Sequence, residues 1–139
     1  MMRSITLIIL HCSATREDRR YTAEKCREDH MKYRGYKDIG YHYYIELDGT
    51  VKEGRPIEMI GAHCKYHNKH SIGICLEGGL DRHGNEADTR SGGQEIALMN
   101  LLARLKEDYP NALIVGHNTL NPDKKCPCFD TAEYRQLFP

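Results

Sequence analysis

The chain has no tryptophan and only two phenylalanines among its 139 residues. Any aromatic contact to a ligand therefore falls mainly to its nine tyrosines. It also lacks an excess of either charge: twenty Lys and Arg balance twenty Asp and Glu. That balance argues against the basic footprint by which proteins bind nucleic acid or anionic lipid. Long apolar runs are missing too, and no stretch approaches the ~20 residues a membrane span needs. Internal repeats and low-complexity tracts are absent. The N-terminal run Ile5–Leu10 is cut short by His11, and no small-residue cleavage site follows it. We read it as the first strand of the fold rather than as a secretion signal. The expectation is a chain made in the cytoplasm without a signal peptide. Its length suits one domain, residues 1–139.

What is present is a pattern of alternating strands and helices. ITLIIL, residues 5–10, is continuously apolar and β-branched, as in a strand buried on both faces. Residues 23–34 read as a helix, with Thr22 as its cap and Gly35 as its stop. Its apolar stripe is weak, with Cys26, His30 and Tyr33 on one side. Residues 39–47 (IGYHYYIEL) and 50–53 flank Asp48-Gly49, a hairpin signal. Residues 71–77 alternate, with Ile72, Ile74 and Leu76 on one face. The polar, glycine-rich stretch 78–93 reads as a surface loop. Residues 94–109 form the clearest helix: Leu98, Leu101, Leu102, Leu105 and Tyr109 recur at helical spacing, and Pro110 stops it. A short strand over 112–115 and a last helix over 131–138 follow, the latter with Asp130 and Glu133 placed for a capping box. The order predicts an α/β fold: one domain with a mixed central sheet flanked by helices.

Two apolar strands each run into a histidine, Ile8-Ile9-Leu10-His11 and Ile114-Val115-Gly116-His117. Ligand sites in open α/β sheets gather at the carboxyl ends of strands. If the two strands are parallel neighbours, both imidazoles enter one crevice; alone, either histidine could merely mark a strand end. Lys124-Lys125-Cys126-Pro127-Cys128 follows by a short loop. A thiolate at Cys126 would complete a His₂Cys set, and three protein ligands leave a fourth position open, as in catalytic zinc sites. Cys128 could be a fourth ligand and make the site structural. Pro127 stiffens the turn between the two cysteines, so buried packing is expected for Cys128. A Cys126–Cys128 disulfide would close too tight a ring. Cys12, next to His11 on a strand, should point to the opposite face.

Five blocks, in order, resemble the zinc-dependent N-acetylmuramoyl-L-alanine amidases of the type 2 family, which includes phage lysozyme-type amidases and peptidoglycan recognition proteins. They are IILHCSAT, DIGYHYYIELDGTVKEGRP, GAHCKYHNKHSIGICLEGG, VGHN and KKCPCFD, and the resemblance spans Ile8 to about Phe138. The resemblance implies one zinc per chain, held by His11, His117 and Cys126. It implies catalytic roles for Tyr41 and for Lys124, two positions before Cys126. It places His63 and Asn68 in the block that borders the substrate groove. The activity implied is hydrolysis of the amide between N-acetylmuramic acid and L-alanine, with peptidoglycan or muropeptide as partner. The setting implied is endolysin-like, acting on the wall after release from the cytoplasm by phage lysis or dedicated export.

Without the resemblance, several of these residues have plainer readings. Tyr41 is one of three tyrosines in a β-prone stretch with Tyr43 and Tyr44, Lys124 and Lys125 suit a solvated pair, and His63 suits a plain loop residue. The tryptophans that many relatives carry near the groove are missing, and Asn118 stands where relatives often have a charged or aromatic residue. The competing function is a muropeptide-binding module of the same fold that does not cut; the presence of Cys126 with both histidines favours the enzyme. No heptad or long apolar patch calls for a dimer, so a monomer is expected.

Overall fold

A computed structural model describes residues 3–139. A five-stranded sheet has the order β4-β3-β5-β1-β7. Its strands are β1 (Leu7–Cys12), β3 (Tyr43–Ile45), β4 (Val51–Glu53), β5 (Ser71–Leu76) and β7 (Leu113–Gly116). Only the β3–β4 pair is antiparallel, and it is the hairpin around Asp48-Gly49, where Gly49 takes φ 92°. The other three pairings are parallel, which makes the sheet mixed as the sequence predicts. β2 (Thr15–Arg16) and β6 (Gly79–Leu80) form a separate two-stranded parallel pair.

Helix α2 (Gly92–Asp108) covers one face of the sheet and α4 (Ala132–Leu137) packs beside β7. The main core lies there: Ile8, Leu10, Ile72, Ile74, Leu76 and Ile114 from the strands meet Leu98, Leu101, Leu102 and Leu105 of α2. α1 (Ala23–Tyr33) packs on the other face through Cys26, against Tyr44 and Cys75. The alternation in β5 thus serves two cores. Its Ile side chains face α2, and Cys75 faces α1.

Helix boundaries follow local chemistry. Thr22 Oγ1 accepts from Lys25 N at 3.2 Å, and Gly35 just past α1 takes φ 70°, as expected. α2 begins earlier than its apolar spacing indicates, because Ser91 and Gln94 form a capping box. The stretch read as loop accordingly includes β6 and the first turn of α2. The run 39–47 yields only the short strand β3, leaving Tyr41 outside it. α4 has no capping box: Thr131 is its cap residue, and Asp130 Oδ1 instead accepts from Ala132 N at 3.0 Å. Tyr33, expected on the buried stripe of α1, is 72% exposed, and Cys26 is the one fully buried residue of that helix. Among the described residues, no helix is long and apolar enough to cross a membrane.

Candidate metal centre and its cleft

The parallel pairing of β1 with β7 sets Leu10 opposite Gly116, so His11 and His117 leave neighbouring strands at the same level. His11 still belongs to β1 and is buried; His117 opens a short helical turn, α3 (His117–Leu120). Gly116 makes that turn possible. A Cβ there would collide with the Asn118 amide oxygen and crowd Pro127 Cδ at 3.0 Å. Its N–H donates to Thr119 Oγ1 at 3.0 Å, which ties off the end of the strand.

The loop after α3 folds back over the strand ends. Asn118 N donates to Cys126 O at 2.8 Å, and Cys12 N donates to Cys126 Sγ at 3.1 Å. Cys126 Sγ then stands 3.8 Å from His11 Nδ1. One ligand atom from each of His11, His117 and Cys126 can be chosen so that all lie within 4.8 Å of one another. Two imidazoles and one thiol at that separation fit a metal of borderline softness with a preference for tetrahedral N/S ligands.

Electrostatics suit the same use. Burial, with His63 and His117 adding to it, holds His11 well below the ordinary histidine value. Burial and then the nearby Lys124 ammonium lower His117 as well. Both rings are thus neutral at pH 7, the state in which an imidazole nitrogen can bind a metal.

A cleft of about 830 Å³ opens in front of this cluster. All seven residues singled out in the sequence line it: His11, Tyr41, His63, Asn68, His117, Lys124 and Cys126. The Tyr41 ring lies 5.2 Å from the His11 ring, centroid to centroid. Burial, then the neighbouring Cys75 and Cys26, hold its hydroxyl well above the ordinary tyrosine value, so it stays protonated. Lys124 is exposed at the cleft, near His117. Asn68 is committed to the fold of its own loop: its Oδ1 accepts from His63 N and Cys64 N, both at 2.9 Å. His63 sits behind His11, with Nδ1 at 2.9 Å from His11 Nε2.

One contributor went unread in the sequence. His30 of α1 accepts from Gly40 N through Nδ1 at 2.9 Å and packs its ring 5.6 Å from that of Tyr41. It thereby fixes the backbone that presents Tyr41 to the cleft. A histidine on an otherwise weakly apolar helix stripe was its only visible sign.

Cys128 is not part of the donor cluster. Its Sγ lies 3.9 Å from Cys12 Sγ, and burial together with that thiol pushes it up to about 12. The thiol is half-buried at the cleft wall rather than sealed in the core. Cys12, which meets it there, lines the same cleft as His11. All six cysteines are free.

A family model described as N-acetylmuramoyl-L-alanine amidase matches residues 1–129. The endolysin of Klebsiella phage KP32 is 41% identical over 123 residues, covering 88% of this chain and 80% of that protein. Among solved structures, the N-acetylmuramoyl-L-alanine amidase LysC from Clostridium intestinale superposes with a TM-score of 0.77 at 29% identity, over 90% of this chain and 77% of that one. A Drosophila PGRP-LB mutant in complex with tracheal cytotoxin superposes at 0.73 with 27% identity, over 91% and 77%.

Proposed function

The chain belongs to the N-acetylmuramoyl-L-alanine amidase family, and from that premise we propose that His11, His117 and Cys126 hold one zinc ion, beside which Tyr41 and Lys124 act on the substrate. The chain is a peptidoglycan amidase: it hydrolyses the amide that joins N-acetylmuramic acid to L-alanine. The observation that carries the site is the convergence of three ligand atoms within 4.8 Å at the carboxyl ends of two parallel strands, facing the cleft.

Zinc held by His11, His117 and Cys126 would supply Lewis acidity for the scissile carbonyl and a nucleophilic water near neutral pH. The chain's own residues do the rest. As the carbonyl carbon becomes tetrahedral, its oxygen gains negative charge. The Lys124 ammonium, on the rim nearest His117, stabilises that oxygen by charge. The Tyr41 hydroxyl, kept protonated by burial, donates a hydrogen bond to the same oxygen. Donors fixed before the reaction stabilise charge without having to reorganise, which is where most of their value lies. His63 and Asn68 belong to the cleft lining.

The substrate is the muramoyl-peptide junction of peptidoglycan, and the wall is reached after release, as in phage lysis. Residues 1–139 act as one catalytic unit.

The test pairs zinc content with peptide release from purified peptidoglycan, in wild type and in Cys126→Ala. One zinc per chain in wild type, with metal and hydrolysis lost together in the variant, is the expected result. A folded wild type that takes up no zinc when zinc is supplied would rule out the site. Zinc uptake without peptide release would rule out the catalytic roles.

A further inference from the structure

His63 lies in the cleft wall, yet both of its ring nitrogens already have protein partners. Nδ1 is 2.9 Å from His11 Nε2, and Nε2 is 3.3 Å from Ser71 Oγ. The two imidazoles meet edge to face, with centroids 4.9 Å apart and planes at 86°. His11 turns its other nitrogen, Nδ1, toward Cys126 Sγ.

The direction of each hydrogen bond follows from that arrangement. A ring nitrogen that binds a metal carries no proton, so a neutral imidazole has its single N–H on the other nitrogen. With His11 Nδ1 on the side of the donor cluster, its N–H is on Nε2 and points at His63. His63 Nδ1 is then the acceptor, and its own N–H is on Nε2, donating to Ser71 Oγ. Every N–H in the series has an acceptor, and the only bare nitrogen left over is the one facing the metal position.

The backbone has been cleared for this ring. A Cβ on Gly73, in the central strand β5, would stand 2.6 Å from His63 Cγ and Cδ2. A Cβ on Gly61 would stand 2.8 Å from His63 Cδ2. Asn68 Oδ1, accepting from His63 N, fixes the main chain behind it.

We infer that His63 is a positioning residue for the metal centre: by accepting the His11 Nε2–H, it sets the tautomer and ring orientation that present His11 Nδ1 to the metal, with Ser71 holding His63 in the matching tautomer. This rests on the reading of His11 as a ligand. It assigns His63 a role that acts through His11 rather than through contact with substrate. Partners that take the second N–H of a metal-binding histidine are typically worth 10–100-fold in metal affinity.

Zinc affinity, measured by competition with a chromophoric chelator, tests this independently of turnover. His63→Leu removes the acceptor and is expected to bind zinc about 10–100-fold more weakly than wild type. His63→Asn, which restores an oxygen acceptor near the position of Nδ1, is expected to recover most of that loss. Cys126→Ser reports on the site itself. Wild-type affinity in His63→Leu, with affinity lost in Cys126→Ser, would overturn the inference alone; a raised KM in that variant would then mark His63 as a substrate contact. Wild type and Cys126→Ser binding zinc equally would overturn the ligand assignment and the inference with it. Should His63→Leu not fold, Ser71→Ala decides: it keeps both rings but frees the His63 tautomer. It is expected to weaken zinc binding several-fold, and unchanged affinity would overturn the proposal.

Discussion

Gly73 lies directly beneath the imidazole of His63, close enough that a Cβ would come within 2.6 Å of its ring carbons. The strand there cannot retreat, because Gly73 pairs with Ile9 on β1 and its carbonyl accepts from His42 N at 2.9 Å. Gly73→Ala is therefore expected to push the ring off His11. Overpacking at such a site costs about 1–3 kcal/mol. A fall in the urea midpoint of the metal-free protein reads this directly, and an unchanged midpoint would mean that the ring moves aside freely. Adding His63→Ala should recover much of the loss, since the clash then has no partner.

Lys124→Ala separates charge stabilisation from metal holding. The side chain is exposed on the cleft rim and is not one of the three clustered donors. Turnover on peptidoglycan should fall by ~10²–10³, as is usual when one donor to a developing oxyanion is removed. Zinc stoichiometry should stay at the wild-type value. A metal-free variant would show that Lys124 supports the site rather than the reaction.

His42 gives the fold a defined acid sensitivity. It is 1% exposed, and burial first, with Arg3 and Arg55 adding to it, pushes it down to about 4. Its Nδ1 accepts from Gly73 N at 3.1 Å, so the ring N–H is on Nε2, donating to Met59 O at 2.8 Å. The unfolded chain takes up this proton near pH 6.5, the folded one only near 4. Its contribution is thus intact above pH 6.5 and is lost as pH falls toward 4, amounting to about 2–3 kcal/mol. His63 is shifted the same way and adds to the slope. Unfolding free energies of metal-free wild type and His42→Gln, measured between about pH 7.5 and 4.5, should converge as pH falls. Parallel curves would show that His42 titrates alike in both states.

Gln94 is the buried polar residue that locks α2 to the sheet. It is fully buried; its Oε1 accepts from Ser91 N at 3.0 Å, while Nε2 donates to Ile45 O at 3.2 Å and Glu77 O at 2.9 Å. Gln94→Leu keeps the volume but removes the donor to Glu77 O, while Ile45 O still accepts from Glu77 N at 2.9 Å, so a loss of about 1–3 kcal/mol is expected in chemical denaturation. The same residue shows what was legible beforehand. The apolar spacing of Leu98 to Leu105 announced the helix and its buried face, because periodicity records burial. It placed the start two residues late, at Gln94 rather than Gly92, because the Ser91 cap and the two glycines after it carry no apolar period. The donor cluster was legible for a different reason: His11 and His117 end short apolar strands, and the parallel pairing of those strands brings both to one level. His63 and His30 were harder to place, since each acts through a partner 10 or more residues away that only the folded chain supplies.

Metal binding should be visible as stability, apart from any catalysis. A ligand that binds only the folded chain stabilises it by about 2.7 kcal/mol when free ligand is 100 times its Kd. For a domain of this size that shift raises Tm by on the order of 10 °C. Zinc added to metal-free wild type should produce it, and a strong chelator should reverse it. Cys126→Ser, which weakens one of three donors, should show a much smaller shift at the same zinc concentration. His63→Leu should fall between the two, because it leaves all three donors in place and loosens only the orientation of His11. Equal shifts in wild type and Cys126→Ser would place the bound zinc elsewhere, on other thiols or imidazoles of the chain.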